Sequence, residues 1–283
     1  MCGSIGGENG RVCQHPGQAY VDRSMIAQTD TLAGWRLADR LPAPVVLVVL
    51  GALCLEVAAC GSPATPVHAD RSSAALVEQF KREKVFWRQF EIARQIVARH
   101  DPSVLPPLVD GLRQEDRHVR GNVAFIFASL RDPRGFQTIT AILRDRSDRP
   151  AGQGIPAASG DGRYHASRQI AADRYYAAHL LGDLRDPRAV PILVPLLDDD
   201  EVDTVVPWAL AQINDPRAIG PLLDALDGED PSMRVLAIDA LESLHAKQAV
   251  PRLMSLLDDH RRSTFGARVS VSDAARTAID ELK

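Results

Sequence analysis

Apolar side chains recur at helical spacing from residue 76 to the C-terminus, and the same arrangement returns about every 30 residues. The triplet Asp-Pro-Arg occurs at 132–134, 186–188 and 215–217, each time directly after an apolar helical pattern. Similar apolar segments begin at Ala189, Ala218 and Ala249, which are 29 and 31 residues apart. A period of this length is typical of chains built from repeated helical units.

Each repeat contains two helical patterns. In the first, apolar residues occupy positions i, i+3 and i+4, as at Leu193, Leu196 and Leu197, which places them on one face. A second apolar stripe follows in each copy. The aspartate of each triplet is expected to cap the next helix, and the proline fits the first helical turn. Residues 76–100 form one long amphipathic pattern, which we expect to cap the first repeat.

These features resemble HEAT-like repeats of the short type known from phycobilisome lyases and many bacterial scaffold proteins. The resemblance covers residues 102–283, about five units. It implies an all-α, right-handed α-solenoid of about five HEAT-like helix pairs with an N-terminal capping helix. The family often has an arginine in the second helix that bridges to the next repeat. Arg120, Arg174 and Arg234 match this position, whereas Asp203 interrupts the series in the third copy.

Two copies contain insertions. Residues 145–167 separate the two helices of the second copy, and their Gly, Pro, Ser and Asp content predicts a mobile loop. Residues 260–272 form a shorter insertion in the last copy. Long loops often carry function, yet added loop length costs little stability. The longer insertion is therefore either a functional segment or a tolerated excursion.

The most apolar run of the chain lies between Leu41 and Cys60, behind two arginines. Its apolar centre has the length of a signal-peptide core and is shorter than the ~20 residues that a membrane-spanning helix needs. Its last four residues, Val57-Ala58-Ala59-Cys60, resemble the lipobox of bacterial lipoproteins. That resemblance implies cleavage after Ala59 and lipid on the Cys60 sulfur. An uncleaved anchor and a buried helix are the alternatives.

This interpretation divides the chain into an N-terminal extension and signal peptide (1–59), a flexible tether (60–74) and the repeat solenoid (75–283). Met25 is an alternative start, because the residues before it are Gly-rich and patternless. By resemblance to sorting in Gram-negative lipoproteins, Gly61 after the lipidated cysteine favours the outer membrane. We therefore expect a lipid-anchored protein of the bacterial cell envelope that faces the periplasm.

Charge and composition exclude several classes of function. The 33 basic and 37 acidic residues are interspersed and give a formal net charge of -4, so no broad positive field attracts nucleic acid. No cysteine follows Cys60, which excludes a thiolate metal site in the repeats. The histidines do not form the His-Glu pairs of the HEAT-repeat deoxyhypusine hydroxylases, and the acidic run at 198–203 lacks calcium-loop spacing. We expect neither metal nor cofactor.

Polar and aromatic residues just off the apolar stripe of the second helices predict a groove on the concave face. The candidates are Phe125, Asn122, Tyr175, Tyr176, His179 and Trp208. Aromatic side chains often dominate binding energy, although these could also fill gaps between small core alanines. We predict a membrane-tethered, non-enzymatic scaffold or adaptor that binds a protein or peptide partner there and meets the membrane only through its lipid. The alternative is a lyase-type enzyme or enzyme-maturation factor with a small-molecule site in the same groove.

Overall fold

The computed structural model describes residues 72–147, 166–264 and 268–283. Regular structure in these ranges is helical, and they contain no strand beyond one isolated bridge between Arg262 and Ser270. The α-helices, numbered in chain order, are α1 (Ser73–Arg82), α2 (Phe86–Val97), α3 (Arg117–Ser129), α4 (Pro133–Arg144), α5 (Ala166–Leu184), α6 (Val190–Leu193), α7 (Val206–Ile213), α8 (Ile219–Ala225), α9 (Pro231–Ser243), α10 (Val250–Met254) and α11 (Val271–Leu282). Short 3-10 helices precede several of them, and Pro106–Arg113 is 3-10 throughout.

The helices pack in chain order rather than around a common centre. The second helices of the five repeats, α3, α5, α7, α9 and α11, form a row in which each contacts the next, and α2 covers α3 at the start of the row. The first helices, Pro106–Arg113, α4, α6, α8 and α10, pack against this row. Buried apolar side chains form one band that runs from Leu76 to Leu282. The predicted all-α solenoid of HEAT-like repeats is confirmed.

The same backbone turn opens each repeat. A residue one to three positions after the end of the preceding helix has a positive φ at five places, namely His100, Arg131, Arg185, Asn214 and His245. In the three Asp-Pro-Arg triplets, the aspartate that follows accepts a hydrogen bond from the backbone N–H two residues on, over 2.9–3.0 Å. The predicted capping role of the triplet is confirmed, and it supplies a partner for a backbone donor that the helix leaves open.

The N-terminal cap differs from the prediction of one long helix over 76–100, because the helix breaks at Glu83. The backbone of Glu83 is extended (φ -66°, ψ 129°). Its carboxylate accepts from the N–H groups of Lys84 and Val85 at 2.9 and 2.8 Å, and Gln89 Nε2 donates to the Phe80 carbonyl at 3.1 Å. These side chains satisfy backbone groups that the break exposes, an effect that hydrophobic periodicity does not report.

Two of the three arginines in the second helices, Arg174 and Arg234, join successive repeats, as the family resemblance implies, whereas Arg120 donates to the Gln114 carbonyl of its own repeat at 2.9 Å. Arg174 donates through Nε to the Leu143 carbonyl at 2.9 Å and through Nη2 to Asp199 at 2.5 Å. Sixty residues on, Arg234 makes the corresponding ion pair with Asp259 at 2.5 Å. Arg174 and Arg234 therefore each tie their own repeat to the turn that follows the next first helix.

The series is interrupted in the third repeat, where Asp203 replaces the arginine. Burial, together with the negative charges of Asp200 and Asp230, raises the pKa of Asp203 to about 6. An ion pair between repeats is therefore replaced by a carboxylate that faces like charges.

Several sequence predictions concern residues outside the described ranges. The segment 1–71, with the predicted signal sequence and Cys60, lies outside them, as does 148–165 of the longer insertion. The shorter insertion at 260–272 is described except for 265–267, and the Thr264 N–H donates to Ser232 Oγ at 3.0 Å, which ties it to the start of α9. Among the helices that the structure describes, none has the length and apolarity needed to span a membrane.

Candidate functional site

One face of α5 carries a run of polar side chains at steps of three or four residues. These are Gln169, Asp173, Tyr176, His179 and Asp183. Asp173 and Tyr176 bond to residues of α3, and His179 stacks on a residue of α7. The candidate residues therefore fall into groups at the two interfaces that α5 makes with the neighbouring second helices.

Asn122 joins the N-terminal cap to the second repeat. It is fully buried. Its Nδ2 donates to the Phe86 carbonyl and to Gln89 Oε1, both at 2.9 Å, and its Oδ1 accepts from the Tyr176 hydroxyl. Asn122 thus supports the second-helix row from inside, because its polar atoms are turned toward protein partners.

Phe125 and the two tyrosines differ in what they can offer a ligand. Phe125 is 6% exposed and packs edge-to-face on Phe90, with ring centroids 4.9 Å apart, as expected for an aromatic that fills a gap in the core. Tyr175 and Tyr176 are partly exposed. Burial, with a smaller contribution from the Asp183 charge, raises the pKa of Tyr176 well above its usual value, and burial also raises that of Tyr175. Both phenols therefore stay protonated near neutral pH.

His179, Asp183 and Trp208 form a second group, where α5 meets α7. The imidazole and indole rings stack with centroids 4.2 Å apart and planes inclined by 26°. His179 Nδ1 lies 3.1 Å from Asp183 Oδ2, and the histidine side chain is 17% exposed. We call these three residues the α5–α7 group.

Gly182 allows the α5–α7 group to form. A Cβ atom at this position would lie 2.8 Å from the Trp208 ring and 2.9 Å from the Ala209 Cα. Distances this short are not tolerated between carbon atoms, so the missing side chain lets α7 approach α5 closely. The absence of a side chain at Gly182 therefore allows the Trp208 ring to pack against His179.

The α5–α7 group can exchange protons and can bind a flat ring. Nδ1 of His179 faces the Asp183 carboxylate, although neither of these two atoms makes a hydrogen bond within the described residues, so Nε2 is the position for exchange with a ligand. The stacked rings provide a flat apolar surface. Within the described ranges, no group of three or more His, Cys, Asp or Glu side chains has the arrangement to hold a metal ion.

The sequence analysis missed a buried ionic cluster between α3 and α5. Arg117 donates to Asp173 at 3.1 Å and pairs with Asp145 at 2.8 Å, and His118 Nδ1 lies 3.4 Å from Asp173. The Asp173 side chain is fully buried. The sequence contained a signal for this cluster, because Arg117 and Asp173 both fall among core positions and a buried charge requires a partner.

Two family models match the repeats. A model of HEAT repeats matches residues 167–228, and a model of the PBS lyase HEAT-like repeat matches residues 233–259. The resemblance to HEAT-like repeats of the phycobilisome-lyase type is therefore confirmed. The α5–α7 group lies within the first matched range.

Curated relatives share this similarity over part of the chain. The phycocyanobilin lyase subunit alpha of Synechococcus elongatus is 39% identical over 97 residues, 30% of this chain and 36% of that protein. The bilin biosynthesis protein PecE of a Nostoc species is 30% identical over 155 residues, 54% of this chain and 55% of that protein. The chain thus spans less than two thirds of either relative. A crystal structure of an engineered protein aligns with 74% of this chain and 96% of its own, at 19% identity and a TM-score of 0.37.

These relatives correct the functional prediction. The expectation of a non-enzymatic scaffold or adaptor, and of a chain more likely not an enzyme than an enzyme, is wrong, because the relatives are named as a lyase subunit and a bilin biosynthesis protein. They favour the alternative of a lyase-type protein with a small-molecule site. The function was wrongly predicted because helical repeats have the same packing pattern whether or not their surface performs chemistry.

Proposed function

We propose that this chain is a lyase-type protein that binds a bilin, an open-chain tetrapyrrole, on the face of its second helices. The observation that carries the proposal is the 155-residue match to a bilin biosynthesis protein, because it extends over about half of this chain. A match of this length covers several consecutive repeats and the contacts between them.

The chemistry of the second-helix face suits such a ligand. A bilin consists of conjugated pyrrole rings, which need flat apolar contacts, and of N–H groups, which need acceptors. The His179–Trp208 stack provides a flat apolar contact, and the Asp183 carboxylate beside it provides a hydrogen-bond acceptor. Adjacent helices in such a row lie about 8–10 Å apart, so an extended ligand reaches from one repeat to the next.

We also propose that the chain acts together with a protein partner. One relative is named as a subunit, which supports this part of the proposal. The interspersed charges of the chain, with a net value of -4, favour a partner that is recognised by shape and local contacts over one captured by a broad electrostatic field.

Titration of the full chain with phycocyanobilin tests the function. We expect a saturable change in visible absorption as the bilin leaves water. The urea-unfolded chain is the control for non-specific adsorption. A spectrum identical to that of the bilin with the unfolded chain would contradict the proposal.

The envelope location is a separate proposal. We propose that residues 1–59 direct export, that Cys60 carries lipid, and that residues 60–74 tether the solenoid to the periplasmic face of the outer membrane. The apolar run that ends at Cys60 supports this, and α1 begins at Ser73, close to the expected end of the tether. When cells are grown with an alkyne fatty acid, we expect the parent protein to be labelled and the Cys60→Ser variant to remain unlabelled. An unlabelled parent that keeps its N-terminus would contradict it.

A further inference from the structure

The α5–α7 group differs from the other polar contacts between second helices described above. Arg174 and Arg234 join charged side chains to carboxylates in turns, and such contacts hold repeats together. His179 instead keeps its carboxylate on its own helix, four residues on, and presents its ring to the neighbouring repeat. The pair Asp183–His179 therefore orients an imidazole and does not bridge repeats.

The orientation of His179 is set from two sides. His179 Nδ1 lies 3.1 Å from Asp183 Oδ2, and neither of these buried atoms has a hydrogen-bond partner among the described residues. The Trp208 indole covers one face of the imidazole, with the ring planes 26° apart, so rotation of the ring would lose the polar contact or the stack. Because Nδ1 is turned toward a carboxylate of its own helix, Nε2 is the nitrogen left for proton transfer with a ligand.

Few other ionisable groups face His179 from the elements packed around it. Helix α7 contains none. The ionisable residues of α3 are in its first turns, where Arg117 and His118 pair with Asp173, and those of α4 are Arg134 and Arg144 at its two ends. Asp203 lies on the short helix that also contacts α5. Tyr176, on the same helix as His179, stays neutral. Among these groups, Asp183 is the one whose carboxylate contacts the His179 imidazole.

We infer that the α5–α7 group is the proton-exchanging part of the bilin site, with Trp208 stacking on a pyrrole ring, His179 giving a proton to a pyrrole nitrogen, and Asp183 positioning His179. This inference rests on the proposed function. In the transfer, the Nε2–H bond of the imidazolium breaks and an N–H bond forms on the bilin. His179 is left as the neutral tautomer with its proton on Nδ1, and the bilin gains one positive charge. A hydronium ion of the solvent then returns a proton to Nε2 and leaves water.

Visible absorption of phycocyanobilin bound to the full chain, recorded from about pH 5.5 to about pH 8, tests the inference. Trp208→Ala should weaken bilin binding about tenfold, the loss expected for one aromatic stack in a binding site. Trp208→Phe, which keeps a ring and much of the packing, should recover most of the affinity. Trp87→Ala is the matched control, because Trp87 is 44% exposed on α2, outside the group.

His179→Gln and Asp183→Asn separate the chemical role from packing, because both substitutions nearly preserve size. Each should bind phycocyanobilin more weakly than the parent, by less than the tenfold loss of Trp208→Ala, while losing the pH-dependent change in the bound spectrum. The control His245→Gln, an exposed histidine of the fourth repeat, should keep it. Thermal unfolding of every variant shows whether the fold is intact.

The outcomes distinguish this inference from the proposed function. Saturable binding whose pH-dependent spectrum survives in His179→Gln would overturn the role of His179 and leave bilin binding standing. Equal affinity of Trp208→Ala and the parent would overturn the stacking role. A parent chain that shows no saturable binding at any pH would overturn the proposed function itself.

Discussion

Substitution of Arg174 by methionine tests whether arginine bridges hold the repeats together. The Arg174 side chain is 3% exposed and donates to the Leu143 carbonyl as well as to Asp199. Removing one partner of a buried ion pair costs about 3–5 kcal/mol. Arg146 also donates to Asp199, at 2.7 Å, and remains in the variant. We therefore expect Arg174→Met to lower the free energy of unfolding by about 2 kcal/mol, since methionine keeps most of the apolar contact.

Urea unfolding followed by circular dichroism measures this loss, and Arg146→Met is its matched control. Arg146 reaches the same carboxylate, but its side chain is 58% exposed, and an exposed ion pair contributes less than about 1 kcal/mol. The unfolding midpoint should therefore fall clearly further for Arg174→Met. Equal midpoints in the two variants would refute the reasoning that burial gives the bridge its strength.

Two further predictions concern Asp203 in the third repeat and the packing of α4 on α3. Asp203 has a folded pKa of about 6, above its unfolded value of 3.8, so its ionisation costs stability as pH rises from about 4 to about 6. Because Asp203 is partly exposed, Asp203→Asn should stabilise the chain by only about 1 kcal/mol at pH 7 and by nothing near pH 4; equal gains at both pH values in urea unfolding would show another cause. A Cβ at Gly135 would lie 2.2 Å from the Ala128 nitrogen, so Gly135→Ala should destabilise by about 1–3 kcal/mol. Gly220→Ala, which meets nothing within 4 Å, should slightly raise the thermal midpoint, and a similar response of both glycines would contradict the close packing of α4 on α3.

The helices and their order could be predicted because they depend on local features. The stripe at Leu193, Leu196 and Leu197 and the capping aspartates act within one or two turns of the chain, so the sequence reports them directly. The break at Glu83 could not be predicted, because it depends on which side chains bond to the opened backbone. Helix boundaries follow such local competition more than apolar periodicity.

The candidate site was only partly predictable for a related reason. The position of Trp208 just off the apolar stripe indicated a partly exposed ring, but its stack on His179 depends on the space left by Gly182, 26 residues earlier. The pairing of Arg117 with Asp173 joins residues 56 positions apart. Interactions of this kind require the register between repeats, which the repeat period fixes only to within a residue or two.

Tryptophan fluorescence during a phycocyanobilin titration tests most directly that the bilin binds at the second-helix face. The chain has three tryptophans, Trp35, Trp87 and Trp208. A variant with Trp35→Phe and Trp87→Phe leaves Trp208 as the emitter, and one with Trp35→Phe and Trp208→Phe leaves Trp87. We expect the bilin to quench Trp208 emission strongly, with saturation near about one bilin per chain, and to quench Trp87 far less. Equal quenching of both emitters, or none, would contradict a bilin site beside His179.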